Sequence, residues 1–228
     1  MGEFAWQPSG RYLDGSRVRN FMDLHGIRSW QELIGRSTRD IEWFWNSALE
    51  HLGVEWFEKY TRLYDDSRGM PWTTWFSGGK LNIVHNCLDR HIREGRGAAT
   101  ALRFESDDGS QSLLSYNRLF ESVNRLAGAM RSLGIHKGDR VAMCMPISPE
   151  AVTVMLAALK LGTACIQMPA RIGPEEIASR VQQAQPRLLF VNDGYPRAGK
   201  AISSQSVYEA VLRSAPAIEW VVVNERRG

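Results

Sequence analysis

From about Leu81 onward, the apolar residues of the chain alternate between helical spacing and short continuous runs. The spacing predicts helices over residues 83–92, 116–133 and 149–161, and two more that start near residues 174 and 206. The runs predict strands over residues 98–104, 112–114, 140–145, 164–168, 188–191 and 219–223. Strands separated by helices of this length are typical of a mostly parallel, doubly wound sheet with helices on both faces. We therefore predict an α/β fold.

Local signals mark where several of these helices begin and end. Ser148 is followed by Pro149 and Glu150, which places a capping side chain, a proline and an acid at a predicted helix start. Gly162 predicts the end of the same helix. Residues 37–40 (STRD) and 206–209 (SVYE) resemble capping boxes, so each pattern predicts a further helix start.

The first 75 residues differ in composition, because they hold seven of the eight tryptophans. These aromatics lie at helical spacing among apolar neighbours, so we predict a helical segment with little sheet. We expect its aromatics to be buried against a larger body; a stacking surface for carbohydrate or nucleic acid is the alternative. A hinge follows at residues 65–71, then an extended piece at 72–76 and a turn at 77–79. The predicted domains are the helical N-terminal segment, 1–80, and a sheet-containing domain, 81–228.

Charge and cysteine usage exclude several classes of protein. The net charge of +3 and the absence of a long Lys/Arg run argue against a nucleic-acid partner. The longest apolar stretch, residues 151–162, is too short to cross a membrane, and the first residues do not resemble a secretory signal. The three cysteines form no C-x-x-C pair, so we expect reduced side chains in a cytoplasmic protein rather than a disulfide or metal set.

One segment after a predicted strand has the spacing of a phosphate-binding loop. Residues 194–201 read GYPRAGKA, close to G-x-x-x-x-G-K-[ST]. Ala201 lacks the hydroxyl that would bind Mg²⁺, and Pro196 removes a backbone N–H that would point at phosphate. We therefore predict a strand-end loop that offers Arg197 and Lys200, either to a phosphate group or simply as exposed charges.

The remaining polar groups give weaker indications. The sequence has no G-x-G-x-x-G after a strand, no zinc-binding histidine spacing and no G-x-S-x-G. Residues 89–91 (DRH) form a compact polar triplet at a predicted helix end, for which we favour a structural hydrogen-bond network over a catalytic role.

Three stretches resemble the acetyl-CoA synthetase type of AMP-forming acyl-CoA synthetase, a branch of the adenylate-forming enzymes. Residues 75–82 (WFSGGKLN) and 85–91 (HNCLDRH) resemble a family signature that joins the N-terminal segment to the main body. Residues 133–142 (LGIHKGDRVA), followed by MP at 145–146 and PEA at 149–151, resemble a motif that most adenylate-forming enzymes share. Residues 197–200 (RAGK) resemble R-x-G-[KR]. The resemblance covers roughly residues 43–228.

The resemblance implies a ligase that uses ATP and Mg²⁺ to convert a small carboxylic acid to an acyl-adenylate and pyrophosphate. The thiol of CoA then attacks the adenylate and gives acyl-CoA and AMP. It also implies that Arg197 and Lys200 contact the nucleotide phosphates of CoA. The family's segments for the phosphate loop, the acyl pocket and the catalytic lysine would follow Gly228. We therefore expect the chain alone to be inactive, to bind no cofactor tightly and to contain no catalytic residue.

One departure bears on CoA. Where the family has a Phe-Gly-Gly-Phe-like turn near the CoA adenine, residues 169–172 read PARI, so we expect the adenine to dock differently. Strands at the edge of the sheet that lack a partner predict association of the chain with a second copy of itself.

Two other functions compete with the ligase. They are a non-catalytic scaffold or interaction module derived from the synthetase core, and a small nucleotide-binding protein that uses the loop at residues 194–200.

Overall fold

The structure is a computed structural model that describes residues 6, 8–106, 109–170, 172–197, 200–215 and 217–225. It divides into two compact units, Met1–Leu81 and Asn82–Gly228. In the part of the chain that the structure describes, no helix is both long enough and apolar enough to cross a membrane.

The described residues of the first unit form four helices and a two-stranded antiparallel sheet. The helices are α1 (Arg11–Asp14), α2 (Arg17–Leu24), α3 (Trp30–Arg39) and α4 (Ile41–His51). The strands are β1 (Arg62–Asp65) and β2 (Thr74–Ser77), and a 3₁₀ turn, Met70–Trp72, lies between them. The core of the unit is a buried cluster of α2 and α3 side chains with Ile27, and Trp43, Phe44 and Ala48 of α4 pack against it.

The described residues of this unit are mainly helical, and residues 62–65 and 74–77 form one short antiparallel pair, which agrees with the prediction of little sheet. Another expectation is wrong. The predicted capping box at residues 37–40 fails because α3 continues to Arg39, and the hydroxyl of Ser37 donates to the carbonyl of Ile34 inside it. Asp40 caps α4 instead, since its carboxylate accepts the N–H of Trp43 at 2.9 Å.

Several tryptophans of the first unit are more exposed than the sequence suggested. Trp45, Trp72 and Trp75 expose 40%, 67% and 41% of their surface, so the predicted burial is wrong for them. Trp45 and Trp75 pack edge to face with ring centroids 6.0 Å apart. Such a contact covers one part of each ring and leaves the rest open. By contrast, Trp43 is half-buried, and the guanidinium of Arg36 lies 3.5 Å from its ring centroid.

The second unit holds the parallel sheet. Its helices are α5 (Arg90–Arg93), α6 (Tyr116–Ser132), α7 (Pro149–Leu161), α8 (Pro174–Ala184) and α9 (Gln205–Ser214). Its strands are β3 (Thr100–Glu105), β4 (Gln111–Ser115), β5 (Arg140–Met145), β6 (Ala164–Pro169), β7 (Leu188–Asn192), β8 (Gly194–Arg197), β9 (Lys200–Ser203) and β10 (Trp220–Asn224). A π-helical turn, His85–Asp89, leads into α5. β3 pairs with β4 as a hairpin, as predicted, although residues 107 and 108 of its turn lie outside the described residues.

Four of these strands form a parallel sheet in the order β10-β7-β5-β6. Alternate residues of the strands belong to two separate buried clusters. Val141, Met143 and Phe190 share one cluster with residues of α6 and α7. Ala142 and Leu189 share the other with residues of α8 and α9. Helices therefore cover both faces, which confirms the doubly wound α/β fold.

The start of α7 shows how the sequence fixes an element of this sheet. Ser148 is 1% exposed, and its hydroxyl accepts the N–H of Ala151 at 3.2 Å. Pro149 opens the helix, and Gly162 ends it in the left-handed conformation, with φ of 75°. The predicted capping box at residues 206–209 is wrong, because α9 already begins at Gln205.

Because the cap of α7 is buried, we expect Ser148→Ala to lower the free energy of unfolding by about 1–2 kcal/mol. Ser115→Ala is the matched control, since Ser115 caps α6 in the same way at 3.3 Å but is only half-buried. Urea unfolding of both variants measures the difference. A smaller loss for Ser148→Ala than for Ser115→Ala would contradict the importance of the buried cap.

A charged cluster ties together the residues that precede three of the parallel strands. The guanidinium of Arg187 donates to both carboxylate oxygens of Glu219, each at 2.7 Å. It also donates to the carboxylate of Asp139 at 2.8 Å and to the carbonyl of Gly134 at 2.9 Å. These residues precede β7, β10 and β5, so one side chain joins the amino ends of neighbouring strands.

Candidate ligand site at the carboxyl ends of the parallel strands

The strand order indicates where a ligand site would form. From β5 the chain crosses to β6 on one side and then to β7 on the other. In open parallel sheets, ligands bind outside the carboxyl ends of the strands at the point where the order reverses. Here that point lies beyond Met145 of β5 and Asn192 of β7. The loop that follows β5 is partly open, since Ile147 is 84% exposed.

The segment predicted as a strand-end loop is instead a β-hairpin, which leaves the end of β7. β8 and β9 pair antiparallel from Gly194 opposite Ser203 to Arg197 opposite Lys200. The structure describes only the backbone of Arg197 and Lys200, and it makes them the last paired positions of the hairpin. Ala198 and Gly199, which join them, lie outside the described residues. The hairpin thus brings the two predicted phosphate-binding positions together.

This hairpin also rules out a phosphate-binding loop of the strand–loop–helix type. Such a loop would lead directly from a strand into a helix N-terminus. Here β9 follows Lys200, and α9 begins only at Gln205. The third candidate function, a small nucleotide-binding protein built on residues 194–200, therefore loses its structural basis.

The base of the hairpin is held by backbone hydrogen bonds. The N–H of Asp193 donates to the carbonyl of Asn224 at 3.1 Å, and the N–H of Ser204 donates to the carbonyl of Asp193 at 3.0 Å. Asp193 lies just before β8 and Ser204 just after β9. Both ends of the hairpin therefore meet at one residue, which is bonded to the end of β10.

Two asparagines at this edge were missed in the sequence. Asn192 and Asn224 are the last residues of β7 and β10, and they are Cα partners in the parallel pair. Asn192 is 1% exposed, and neither polar atom of its side chain has a partner among the described residues. The buried Nδ2 of Asn224 likewise has none within the described ranges. The signal available in the sequence was an asparagine at the end of each of two apolar runs, LLFVN and WVVVN.

The turn that departs from the family pattern lies at the same edge of the sheet. β6 ends at Pro169, and α8 begins at Pro174. The N–H of Ile172 donates to the carbonyl of Pro169 at 3.4 Å, which closes a short turn, while Arg171 lies outside the described residues. The described residues of this turn therefore include no aromatic ring that could stack on a base.

Two cysteine thiols of the second unit are affected by burial. Burial raises the pKa of the Cys144 thiol to about 11, so this thiol is protonated at neutral pH and is not a nucleophile. Burial also raises the pKa of Cys165. Among the described residues, no group of His, Cys, Asp and Glu side chains is arranged to hold a metal ion.

The polar triplet at residues 89–91 forms structural contacts. Lys160 of α7 donates to both oxygens of Asp89 at 2.8 and 2.9 Å, and its ammonium lies 5.0 Å from the ring centroid of Phe120. Asn82 donates to the carbonyl of Lys160 at 3.0 Å. The ring of His91 packs on Tyr116, with centroids 4.6 Å apart. These contacts agree with the structural interpretation, and they add Lys160, which the sequence did not indicate.

Two protein families match consecutive parts of the chain, which together span residues 30–226. Residues 30–87 match the family described as acetyl-coenzyme A synthetase N-terminus. Residues 88–226 match the family described as AMP-binding enzyme. The boundary between the two matches falls inside the π-helical turn.

Individual relatives agree with the family matches. The chain is 35% identical over 192 residues to 3-hydroxypropionyl-coenzyme A synthetase of Metallosphaera sedula, covering 83% of this chain and 28% of the relative. It is 36% identical over 201 residues to acetyl-coenzyme A synthetase of Alkalilimnicola ehrlichii, covering 88% and 31%. Among solved structures, acetoacetyl-CoA synthetase from Streptomyces lividans matches 96% of this chain and 34% of its own, with a TM-score of 0.87 and 27% identity. The chain thus spans about a third or less of the length of these proteins.

Proposed function

This chain belongs to the family of AMP-binding enzymes, and on that premise we propose that it is part of an ATP-dependent, AMP-forming carboxylate–CoA ligase. The proposal rests on the match of residues 30–87 to the N-terminus of acetyl-coenzyme A synthetases, followed directly by the AMP-binding match. Relatives whose names include acetyl-CoA and 3-hydroxypropionyl-CoA synthetase support a small carboxylic acid as the substrate. ATP and CoA would be the other substrates.

The reaction sets the roles that this part of the ligase can have. Adenylation needs a cradle for the triphosphate, and thioester formation needs CoA to be held so that its thiol reaches the adenylate. Among the described residues, no cluster of three or more His, Cys, Asp and Glu side chains could hold a metal ion, and we assign no Mg²⁺ ligand and no step of adenylation to them. The part that this chain supports is binding of CoA.

We place the phosphate groups of CoA at the hairpin formed by β8 and β9. Positions that are paired across an antiparallel hairpin lie on the same face, so Arg197 and Lys200 form one cationic pair of positions. Arginine can bind a phosphate through two parallel hydrogen bonds, and lysine adds a compact positive charge. The described residues at 169–172 include no aromatic ring that could stack on the adenine of CoA.

The test uses a complete ligase that contains this chain. We expect Arg197→Ala to raise the KM for CoA by about 10–100-fold, as for loss of a hydrogen bond to a charged group. Adenylate formation, measured by ATP–pyrophosphate exchange with a panel of carboxylates, should stay within about twofold of the unchanged protein, which is less than a single hydrogen bond contributes.

A matched control separates this effect from a general loss of positive charge. Arg213 is an exposed arginine on α9, and Arg213→Ala should leave the KM for CoA unchanged. An equal loss of both half-reactions in Arg197→Ala would contradict the assignment of the hairpin to CoA.

We also propose a cytoplasmic location and self-association through sheet edges. The three cysteines are free, which agrees with a reducing compartment. In the described part of the sheet, β10 and β6 are the outer strands, and the apolar Trp220 and Val223 of β10 are 45% and 43% exposed. An exposed apolar edge strand favours pairing with another strand.

A further inference from the structure

The base of the β8–β9 hairpin has a feature that backbone pairing does not require. Asn192 and Asn224 lie side by side at the ends of β7 and β10, directly before the hairpin and beside its anchor Asp193. Residues that are partners in a parallel pair lie on the same face of the sheet. Two carboxamides therefore occupy neighbouring positions on one face.

Three polar atoms of this pair are buried without a partner among the described residues. They are Nδ2 and Oδ1 of Asn192 and Nδ2 of Asn224. A buried polar group without a hydrogen bond destabilises a protein, because it loses its hydrogen bonds to water and gains none in the folded state. An apolar side chain of similar shape would avoid this penalty, and the preceding same-face residues of the two strands, Phe190 and Val222, are apolar. The polar pair is thus unfavourable unless something completes its hydrogen bonds.

A single water molecule has the right hydrogen-bonding capacity for this position. Buried waters typically make about three hydrogen bonds to buried polar groups that would otherwise be unsatisfied. One oxygen can accept from the two amide N–H groups and donate to the amide carbonyl, so all three atoms would be satisfied at once. The bridge would join the end of β7 to the end of β10.

We propose that Asn192 and Asn224 form a water-bridged amide pair that positions the β8–β9 hairpin for CoA. The inference rests on the proposed role of that hairpin in CoA binding. Asp193 follows Asn192 directly and is bonded to the carbonyl of Asn224, so the direction in which the hairpin leaves the sheet depends on how these two strand ends are held. A polar bridge fixes one geometry, whereas apolar contacts are non-directional.

The experiment uses Asn192→Leu, Asn224→Leu and Asn192→Thr in a complete ligase that contains this chain. We expect each leucine variant to raise the KM for CoA about three- to tenfold, the effect of losing one or two hydrogen bonds. ATP–pyrophosphate exchange should stay unchanged. The thermal midpoint should fall slightly, because removal of one amide leaves the other buried amide without its full set of hydrogen bonds. Asn192→Thr keeps a hydroxyl that donates and accepts, and it should restore most of the CoA affinity.

Arg197→Ala, measured beside these variants, distinguishes two kinds of failure. If it raises the KM for CoA while both leucine variants leave it unchanged, the positioning role is wrong and the CoA site stands. If Arg197→Ala itself has no effect on the KM for CoA, the proposed function of the hairpin fails first. A fall in the thermal midpoint together with an equal loss of both half-reactions would show a purely structural pair.

A crystal structure at a resolution that shows waters supplies an independent test of the bridge. Direct contact of the two amides, with no electron density for a water between them, would overturn it.

Discussion

Replacing Leu88 by alanine should lower the free energy of unfolding of the second unit by about 2–5 kcal/mol. Leu88 lies in the π-helical turn and is 0% exposed. It shares the larger buried cluster with Leu119 and Val123 of α6 and with Val141 of β5. Truncating this side chain removes transfer free energy and leaves a cavity, and the surrounding helix and strand can close that cavity only in part.

The turn that carries Leu88 makes the site less able to relax. Asp89, the next residue, is held by Lys160, and Asn82 is bonded to the last carbonyls of α7. Side chains on both sides of Leu88 are therefore bonded to α7, so we expect a loss in the upper half of the range.

Urea unfolding of the 228-residue chain measures this effect. Leu113→Ala is the matched control, because Leu113 of β4 is 56% exposed and the same truncation should change the free energy of unfolding by less than about 1 kcal/mol. Equal losses in the two variants would show that the turn is not part of the core.

The elements that the sequence predicted best are those in which local and global signals agree. Residues 140–145 form an apolar run in a strand buried on both faces, and β5 has those bounds. α7 also begins and ends as predicted, because Ser148 and Gly162 are local signals that the packing does not override. The capping box predicted at residues 206–209 fails because α9 begins at Gln205, shortly after the end of β9. A four-residue pattern does not fix the first residue of a helix.

The hairpin of β8 and β9 escaped prediction for a physical reason. Its strands have four residues each, they include Pro196, and they show no period of two in hydrophobicity. The two cationic positions at its end were found only through the motif at residues 197–200, which gave no hint of a sheet.

Local sequence patterns could not predict the asparagine pair. Asn192 and Asn224 are 32 residues apart in the numbering of the chain and become neighbours only through the register of β7 with β10. A single asparagine at a strand end is ordinary turn chemistry. The burial of both side-chain nitrogens with no hydrogen-bond partner among the described residues is a property of the assembled sheet.

Replacing Arg187 by alanine should destabilise the second unit at neutral pH and should also reduce the dependence of its stability on acid. Hydrogen bonds from Arg187 are the main reason that the pKa of Glu219 lies below its ordinary value. The pKa of Asp139 is lowered first by the backbone N–H of His136 and then by Arg187. Both carboxyl groups therefore favour their ionised form in the folded state.

The direction of the pH effect follows from these lowered pKa values. A carboxyl group whose folded pKa is depressed stabilises the protein fully above its unfolded pKa, which is about 4 for Asp and Glu. That contribution is lost as the pH falls through the folded pKa. The unchanged chain should therefore lose stability steeply below about pH 4. In Arg187→Ala, the pH-dependent stabilisation that comes from Glu219 should disappear. The pH-dependent stabilisation of Asp139 by the N–H of His136 should remain.

Thermal or urea unfolding between pH 7 and pH 3 measures both curves, and the two proteins should differ most at pH 7 and converge toward pH 3. Arg180→Ala is the matched control, because Arg180 pairs with Glu176 at 2.6 Å on the exposed surface of α8. An exposed pair of this kind contributes at most about 1 kcal/mol, so that variant should keep the pH profile of the unchanged chain. A constant gap between Arg187→Ala and the unchanged chain from pH 7 to pH 3 would mean that Arg187 stabilises the strand ends through its bond to the carbonyl of Gly134 and its aliphatic packing, and not through the two carboxylates.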